Sequence, residues 1–233
     1  MSLAGGRLAS LLIGLATAIV IVTAAVLPFL TPQWVAFEQG RANATGWTGY
    51  STEELDVATG AILSDLVFGP PSFDVQVGGE PVLDEREQGH MRDVRTVFVG
   101  LWTLAAASVA ILIVTAWRRR YRAATWRAVR GGALGLTVAI AVVGVGALAA
   151  FDALFELFHR IFFPAGSYTF DPGTERLVQL FPYQFWGETA LVAGIVIVVV
   201  SILVALIAGR RSRQPSSALT GELAAASAPA ATR

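Results

Sequence analysis

Four apolar runs constrain this chain more than any other feature. Residues 8–30, 96–117, 133–158 and 189–208 are each long enough to cross a hydrocarbon core, which takes ~20 helical residues. The chain as a whole is 55% hydrophobic and 15% charged, too apolar a balance for a water-soluble domain of 233 residues. The expected fold class is an all-α integral membrane protein. It has four transmembrane helices, an extracytoplasmic helical cap and an aromatic-rich outer loop. The first run is longer than the ~7–15-residue apolar core of a signal peptide, and no clean small-x-small cleavage site follows it, so it reads as a retained helix.

Charge orients the bundle. The connector at 118–130 (RRRYRAATWRAVR) carries six arginines and no acid, and Arg210, Arg211 and Arg213 follow the last run. The positive-inside rule then puts both termini and the connector in the cytoplasm, with segments 31–95 and 159–188 outside. Read this way, the arginines anchor the protein at the cytoplasmic interface, and no nucleic-acid partner is expected. Residues 1–209 form one membrane domain. The stretch 210–233, rich in Ala, Ser and Pro beyond its arginines, reads as a disordered cytoplasmic tail.

The first outer segment carries local signals of its own. Ser51 and Glu54 have capping-box spacing, and Leu55, Ile62, Leu63 and Leu66 recur at helical spacing, which predicts an amphipathic helix over 51–68. Its apolar stripe is expected on the bilayer surface or on the helix ends; membrane contact and partner binding fit it equally, and simple packing is the default. Phe73, Val75 and Val77 alternate with polar residues before Gly78-Gly79, which predicts a short hairpin. Asp84, with Glu87 three residues on, predicts the start of a helix that runs through His90 into the second span.

The second outer segment is dense in aromatics and prolines and contains His159, Asp171, Glu175 and Arg176. A bare connector needs a few polar turn residues; aromatics with prolines predict a fixed surface at the membrane interface. At the end of the third span Asp152, Glu156 and His159 share one helical face. On a straight helix Asp152 lies about 10 Å deeper than His159, so it is expected to face the bundle interior or a wet cavity; the local alternative is that Asp152 caps or snorkels near the interface and Glu156 pairs with Arg160.

The chain has two histidines and no cysteine. His90 precedes the second span and His159 follows the third, so the topology brings both to one membrane edge, close enough to share a substrate-sized cleft. Glu87 and Asp93 flank His90 at three residues, and Glu156 stands three before His159. A carboxylate in reach fixes an imidazole's tautomer and raises its basicity, which suits acid–base work near neutral pH. Two other chemistries stay open: a metal-dependent hydrolase using the histidines with Asp93 or Asp171, and a non-enzymatic scaffold or accessory subunit gripping a lipid or membrane partner through the aromatic loop. No G-x-S-x-G elbow or phosphate-cradling glycine loop occurs.

The four-span layout, the Tyr50–Leu55 string YSTEEL, the pattern Glu87-x-x-His90-Met91-x-Asp93-Val94, and FHRIFFPAGSYTFDP…ERLVQLFPYQFW resemble the bacterial lipoprotein intramolecular transacylase (Lit) family. The resemblance covers roughly residues 8–208, and the 159–186 motif is its specific part. It implies that the sn-2 acyl chain of a diacylglyceryl-modified lipoprotein moves to the α-amino group of that lipoprotein's N-terminal cysteine, leaving a lyso-form. The nucleophile then belongs to the substrate. The enzyme supplies a base, an acid and an oxyanion donor, without cofactor or metal. His90 and His159 divide the first two roles, and Tyr168 or Arg176 supplies the third. Glu87, Asp93, Asp152, Glu156, Asp171 and Arg176 support them, while Tyr168, Phe170, Phe181 and Trp186 contact substrate, whose acyl chains enter laterally between helices. The implied partners are the lipoprotein, or a membrane lipid, and the bilayer.

Overall fold

The computed structural model describes residues 3–119 and 123–213. The expected tail at 214–233 and the centre of the arginine connector lie outside the described residues. Four long helices form the bundle: α1 (Leu3–Val26), α5 (Glu85–Arg119), α6 (Ala123–Phe162) and α8 (Tyr183–Arg213). All four have the length and hydropathy of membrane spans. α1 packs against α5, α6 and α8, and α6 lies along α8, whereas α5 and α6 barely meet. These two sparsely contacting helices are the ones that carry the histidines.

Small residues set the closest approach. A Cβ on Gly132 of α6 would stand 2.2 Å from the carbonyl oxygen of Gly14 on α1, so nothing larger than hydrogen fits there. An apolar core of Ile21, Ala25, Ala133, Ile197 and Ala205 continues from this contact. The outward faces of α6 and α8 are lined with exposed Val, Leu and Ile, as lipid-facing surfaces are. At the far end Arg130 lies against Gly209, which brings the base of α6 to the end of α8 and gathers Arg127, Arg130, Arg210 and Arg211 at one pole.

The opposite pole carries a cap with a core of its own. A 3-10 turn (Leu27–Leu30) leads from α1 into α2 (Pro32–Arg41), which has Thr31 as N-cap and Pro32 in its first turn, the position where a missing N–H costs nothing. α3 (Ala44–Thr48) ends at Gly49, whose positive φ of 72° suits glycine. α4 (Thr52–Val67) starts with the reciprocal Ser51–Glu54 capping box. β1 (Gln76–Val77) and β2 (Glu80–Pro81) pair antiparallel across Gly78 and Gly79, both at positive φ as a tight hairpin turn requires. α7 (Arg176–Leu180) closes the cap.

The apolar stripe of α4 (Leu55, Ile62, Leu63 and Leu66) does not spread on the bilayer. It is buried with Val35, Phe73, Val82, Leu83, Leu177 and Leu180. Enough apolar side chains converge from separate segments to make a second hydrophobic core, and burial there removes more surface from water than lying flat would. Two buried polar links stitch this core: Gln39 donates from Nε2 to the Leu180 carbonyl (3.0 Å) and accepts at Oε1 from the Thr59 hydroxyl (3.2 Å). Trp34 Nε1–H donates to Thr189 Oγ1 (3.2 Å), tying α2 to α8.

α6 is not straight. Ala150 has φ −154° and ψ 56°, which divides the helix into 123–149 and 151–162. The first part rises about 40 Å at ~1.5 Å per residue, enough to cross the membrane unaided. The three turns carrying Asp152, Glu156 and His159 thus form a separate helical segment beyond the break. Asp152 is correspondingly exposed and faces the Tyr183 hydroxyl at the start of α8. Its carboxylate is therefore outside the bundle interior, exposed beside a polar partner, the local alternative that its position also allowed.

Candidate active site

α5 delivers His90. Its first turn is closed by a reciprocal cap: Glu87 N–H donates to Asp84 Oδ1 (2.8 Å) and Asp84 N–H donates to Glu87 Oε2 (2.7 Å). The other oxygen, Glu87 Oε1, accepts from Leu177 N–H (2.6 Å) of α7. Glu87 is only 2% exposed, and both its oxygens are committed to backbone amides. It therefore does not orient His90, as its spacing led one to expect. It docks the start of α5 to the cap and fixes the helix on which His90 stands one turn later.

His90 is 7% exposed and sits among rings, 4.8 Å from Phe163 and 5.4 Å from Phe170 between centroids. Its Nδ1 is buried without a hydrogen-bond partner among the described residues. The His159 ring lies 6.1 Å from it, centroid to centroid, and nearly parallel at 19°. The two histidines thus meet at one edge, between α5 and α6.

His159 is held from its own helix. Nδ1 lies 2.7 Å from the Phe155 carbonyl four residues back; a carbonyl only accepts, so Nδ1 carries a hydrogen, and in the neutral ring Nε2 is the acceptor. The ring is packed by Phe155 (4.3 Å), Phe158 (5.4 Å), Phe163 (5.4 Å) and Tyr168 (5.2 Å). Glu156, expected to fix the His159 tautomer, instead accepts at Oε1 from the Tyr168 hydroxyl (3.2 Å). On a helix a carboxylate at i−3 competes with a backbone carbonyl at i−4, and here the carbonyl holds the ring. Removal from water, with the bond to Glu156, raises the Tyr168 phenol above its ordinary value, so it remains a proton-bearing hydroxyl at neutral pH.

The loop 163–175 covers the pair. Phe163 is buried and touches both histidines. Asp171 shapes the turn: its Oδ1 accepts from Gly173 N–H (2.8 Å), and its carbonyl accepts from Thr174 (3.1 Å) and Glu175 (2.8 Å). Asp171→Asn keeps an oxygen for Gly173 and is expected to retain most activity, whereas Asp171→Ala should open the turn and expose the loop to protease. An Asn variant as inactive as Ala, yet equally protease-resistant, would show that the charge itself is required.

Arg86 latches this loop to α5. It donates from Nη1 to the Thr169 carbonyl (2.7 Å), pairs with Glu175, and lies 4.6 Å over the Phe170 ring that packs on His90. Arg176 is turned elsewhere. Its Nη1 donates to the Thr48 carbonyl (2.7 Å) and to Gln179 Oε1 (2.8 Å), and its guanidinium covers Tyr50. It knits the cap and is not aimed at the histidines, whereas the Tyr168 ring packs on His159.

Phe181 is buried against Phe185 (5.3 Å) and Trp186 (6.1 Å), and Trp186 reaches Phe155 (6.3 Å), the residue whose carbonyl holds His159. Asp93 is half-buried one turn below His90, and among the described residues no hydrogen bond joins the two. Sequence reasoning missed Arg86, Phe155 and Phe163. Arg86 stands one turn before His90, so helical spacing was the only available signal. Among the described residues no group of three or more His, Asp or Glu side chains is placed to hold a metal ion.

A family model described as lipoprotein intramolecular transacylase Lit matches residues 10–186. The fold is similar to that of the membrane integral lipoprotein intramolecular transacylase Lit from Bacillus cereus, with TM-score 0.74, 18% identity, and coverage of 90% of this chain and 97% of that one. Structures of the same protein with a histidine replaced by arginine or by alanine are also similar, each with TM-score 0.72 and 16% identity over 89% of this chain and 92% and 93% of theirs. No curated protein sequence matches the chain.

Proposed function

Since the chain belongs to the lipoprotein intramolecular transacylase (Lit) family, and is thereby a membrane lipoprotein transacylase, we propose that it moves the sn-2 acyl chain of a diacylglyceryl lipoprotein to the α-amino group of the N-terminal cysteine, with the two histidines as acid and base. The observation that carries this reading is the facing pair, 6.1 Å between centroids, with His159 Nε2 left as an acceptor. The substrate amine attacks the ester carbonyl, and His159 Nε2 accepts the proton that the nitrogen loses. The tetrahedral oxyanion is met by the Tyr168 hydroxyl, re-aimed from Glu156. As the carbon–oxygen bond breaks, His90 gives a proton to the glycerol oxygen and is replenished with the one that His159 took, so one proton passes from nitrogen to oxygen overall and both rings return to their starting state. The acyl chains lie between α5 and α6, with Phe170, Phe181 and Trp186 at the substrate's head.

Mass spectrometry of lipoprotein N-termini from cells with and without the protein tests this. N-acylated lyso-forms present only with it are expected; unchanged N-termini would favour a scaffold instead.

The same reading places the protein in a bacterial cytoplasmic membrane with both termini inside, supported by the arginines gathered at the pole opposite the cap. Single cysteines are simple probes because the chain has none. A membrane-impermeant thiol reagent on intact cells should label Ser167→Cys and spare Ala123→Cys; the reverse pattern would invert the topology.

A further inference from the structure

We propose that the cap rests on the lipid surface through two exposed phenylalanines, Phe37 and Phe68, each held at the height where a spanning helix enters the hydrocarbon. Phe68 is 90% exposed and Phe37 57%. Isolated exposed apolar residues need no explanation, but each of these two stands beside an arginine that ties the cap to a span.

Phe68 ends α4 on a tight turn. Phe68 N–H and Gly69 N–H both donate to the Ser64 carbonyl (2.9 and 2.6 Å). Asp65 then knots the chain: its Oδ2 accepts from Ser72 Oγ (3.1 Å) and Phe73 N–H (2.8 Å), and its carbonyl accepts from Arg95. Arg95 is the last residue before the apolar run of α5 begins at Thr96. Four residues on, Val99 shares its helical face and is exposed like a lipid-facing side chain. Phe68 therefore continues the lipid-facing surface of α5.

Phe37 repeats the arrangement at α8. It stands one turn before Arg41, whose guanidinium lies 5.9 Å from the Phe37 ring and whose Nε donates to Glu188 Oε2 (2.5 Å). Glu188 immediately precedes the apolar run that begins at Thr189. In both places an arginine ties the cap to the mouth of a span, and an aromatic ring projects beside it. Aromatic rings concentrate at this depth of a bilayer, where they leave water without losing polar contacts. The occupant is thus the phospholipid interface on the cap side, continuous with the surface that the bundle already presents to lipid. This inference stands on the membrane placement alone and does not depend on the histidine chemistry.

The test uses the full chain in phosphatidylcholine vesicles, carrying an environment-sensitive fluorophore on Phe68→Cys, Phe37→Cys or, as a water-side control, Glu53→Cys. Glu53 is exposed at the start of α4, roughly 22 Å along the helix from Phe68. At 37 and 68 the probe should emit to the blue of the control and be quenched several-fold more strongly by lipids brominated high on their acyl chains. If one variant fails to fold, the other site decides alone. Water-like emission without bromolipid quenching would overturn the proposal. So would shielding that grows with protein density and ignores the bromolipid, since that would assign the rings to contacts between copies.

Discussion

Replacing His159 by alanine is expected to lower transacylation by roughly 10²–10⁴-fold, and His90→Ala by a comparable factor, as removal of a general acid or base does. The double variant should be little worse than the poorer single, because two groups serving one proton's path fail together. Lyso-form production from a purified diacylglyceryl lipopeptide, with each variant in vesicles, measures all three. His159→Gln is informative: its amide can still reach the Phe155 carbonyl but has no basic nitrogen where Nε2 stood, so it should be as inactive as alanine. A scaffold would tolerate that change, and a metal site would instead lose activity to chelators and regain it with added divalent ion. Full activity of either alanine variant would remove that histidine from the mechanism.

Glu87→Ala is expected to have the next largest effect, on stability first. It leaves the buried Leu177 amide without an acceptor, at about 1–3 kcal/mol, and removes one arm of the α5 cap, at about 1 kcal/mol. Both losses fall where the cap joins α5, so cap unfolding should come at lower temperature or denaturant than in the parent, seen as earlier proteolysis within 163–182. Activity should fall with it, because His90 stands on the turn that Glu87 anchors. Glu87→Gln keeps one carbonyl oxygen but turns an NH₂ toward an N–H, so it should lie between the two. A Glu87→Ala cap as protease-resistant as the parent would mean that the Leu177 and Asp84 amides find other partners.

How much of this was legible beforehand follows from the range over which each force acts. Hydrophobic runs of membrane length are a property of consecutive residues, and the sequence alone determined four spans and the pole where arginines gather. Capping is equally local. Ser51 with Glu54, and Asp84 with Glu87, are three residues apart, and both reciprocal boxes form. Gly78-Gly79 likewise announced its hairpin. Two histidines on the cap-side ends of two spans had to arrive at one edge, because spans have fixed length.

What the tertiary structure decided lies where several acceptors or surfaces compete for one group. Spacing offered Glu87 to His90 and Glu156 to His159, but Glu87 went to the Leu177 amide and Glu156 to Tyr168, while the Phe155 carbonyl took His159. The α4 stripe had a bilayer or a core to choose from, and segments up to about 120 residues away in sequence supplied the core. Arg176 was drawn to the Thr48 carbonyl, and Arg86, unremarked in the sequence, to the loop over His90. The break at Ala150 follows no proline and has no local signature, yet it sets Asp152 on a separate helical segment, exposed beside Tyr183. A side chain's partner is set by which groups the fold brings within hydrogen-bond reach, and that distance is not written in the order of the residues.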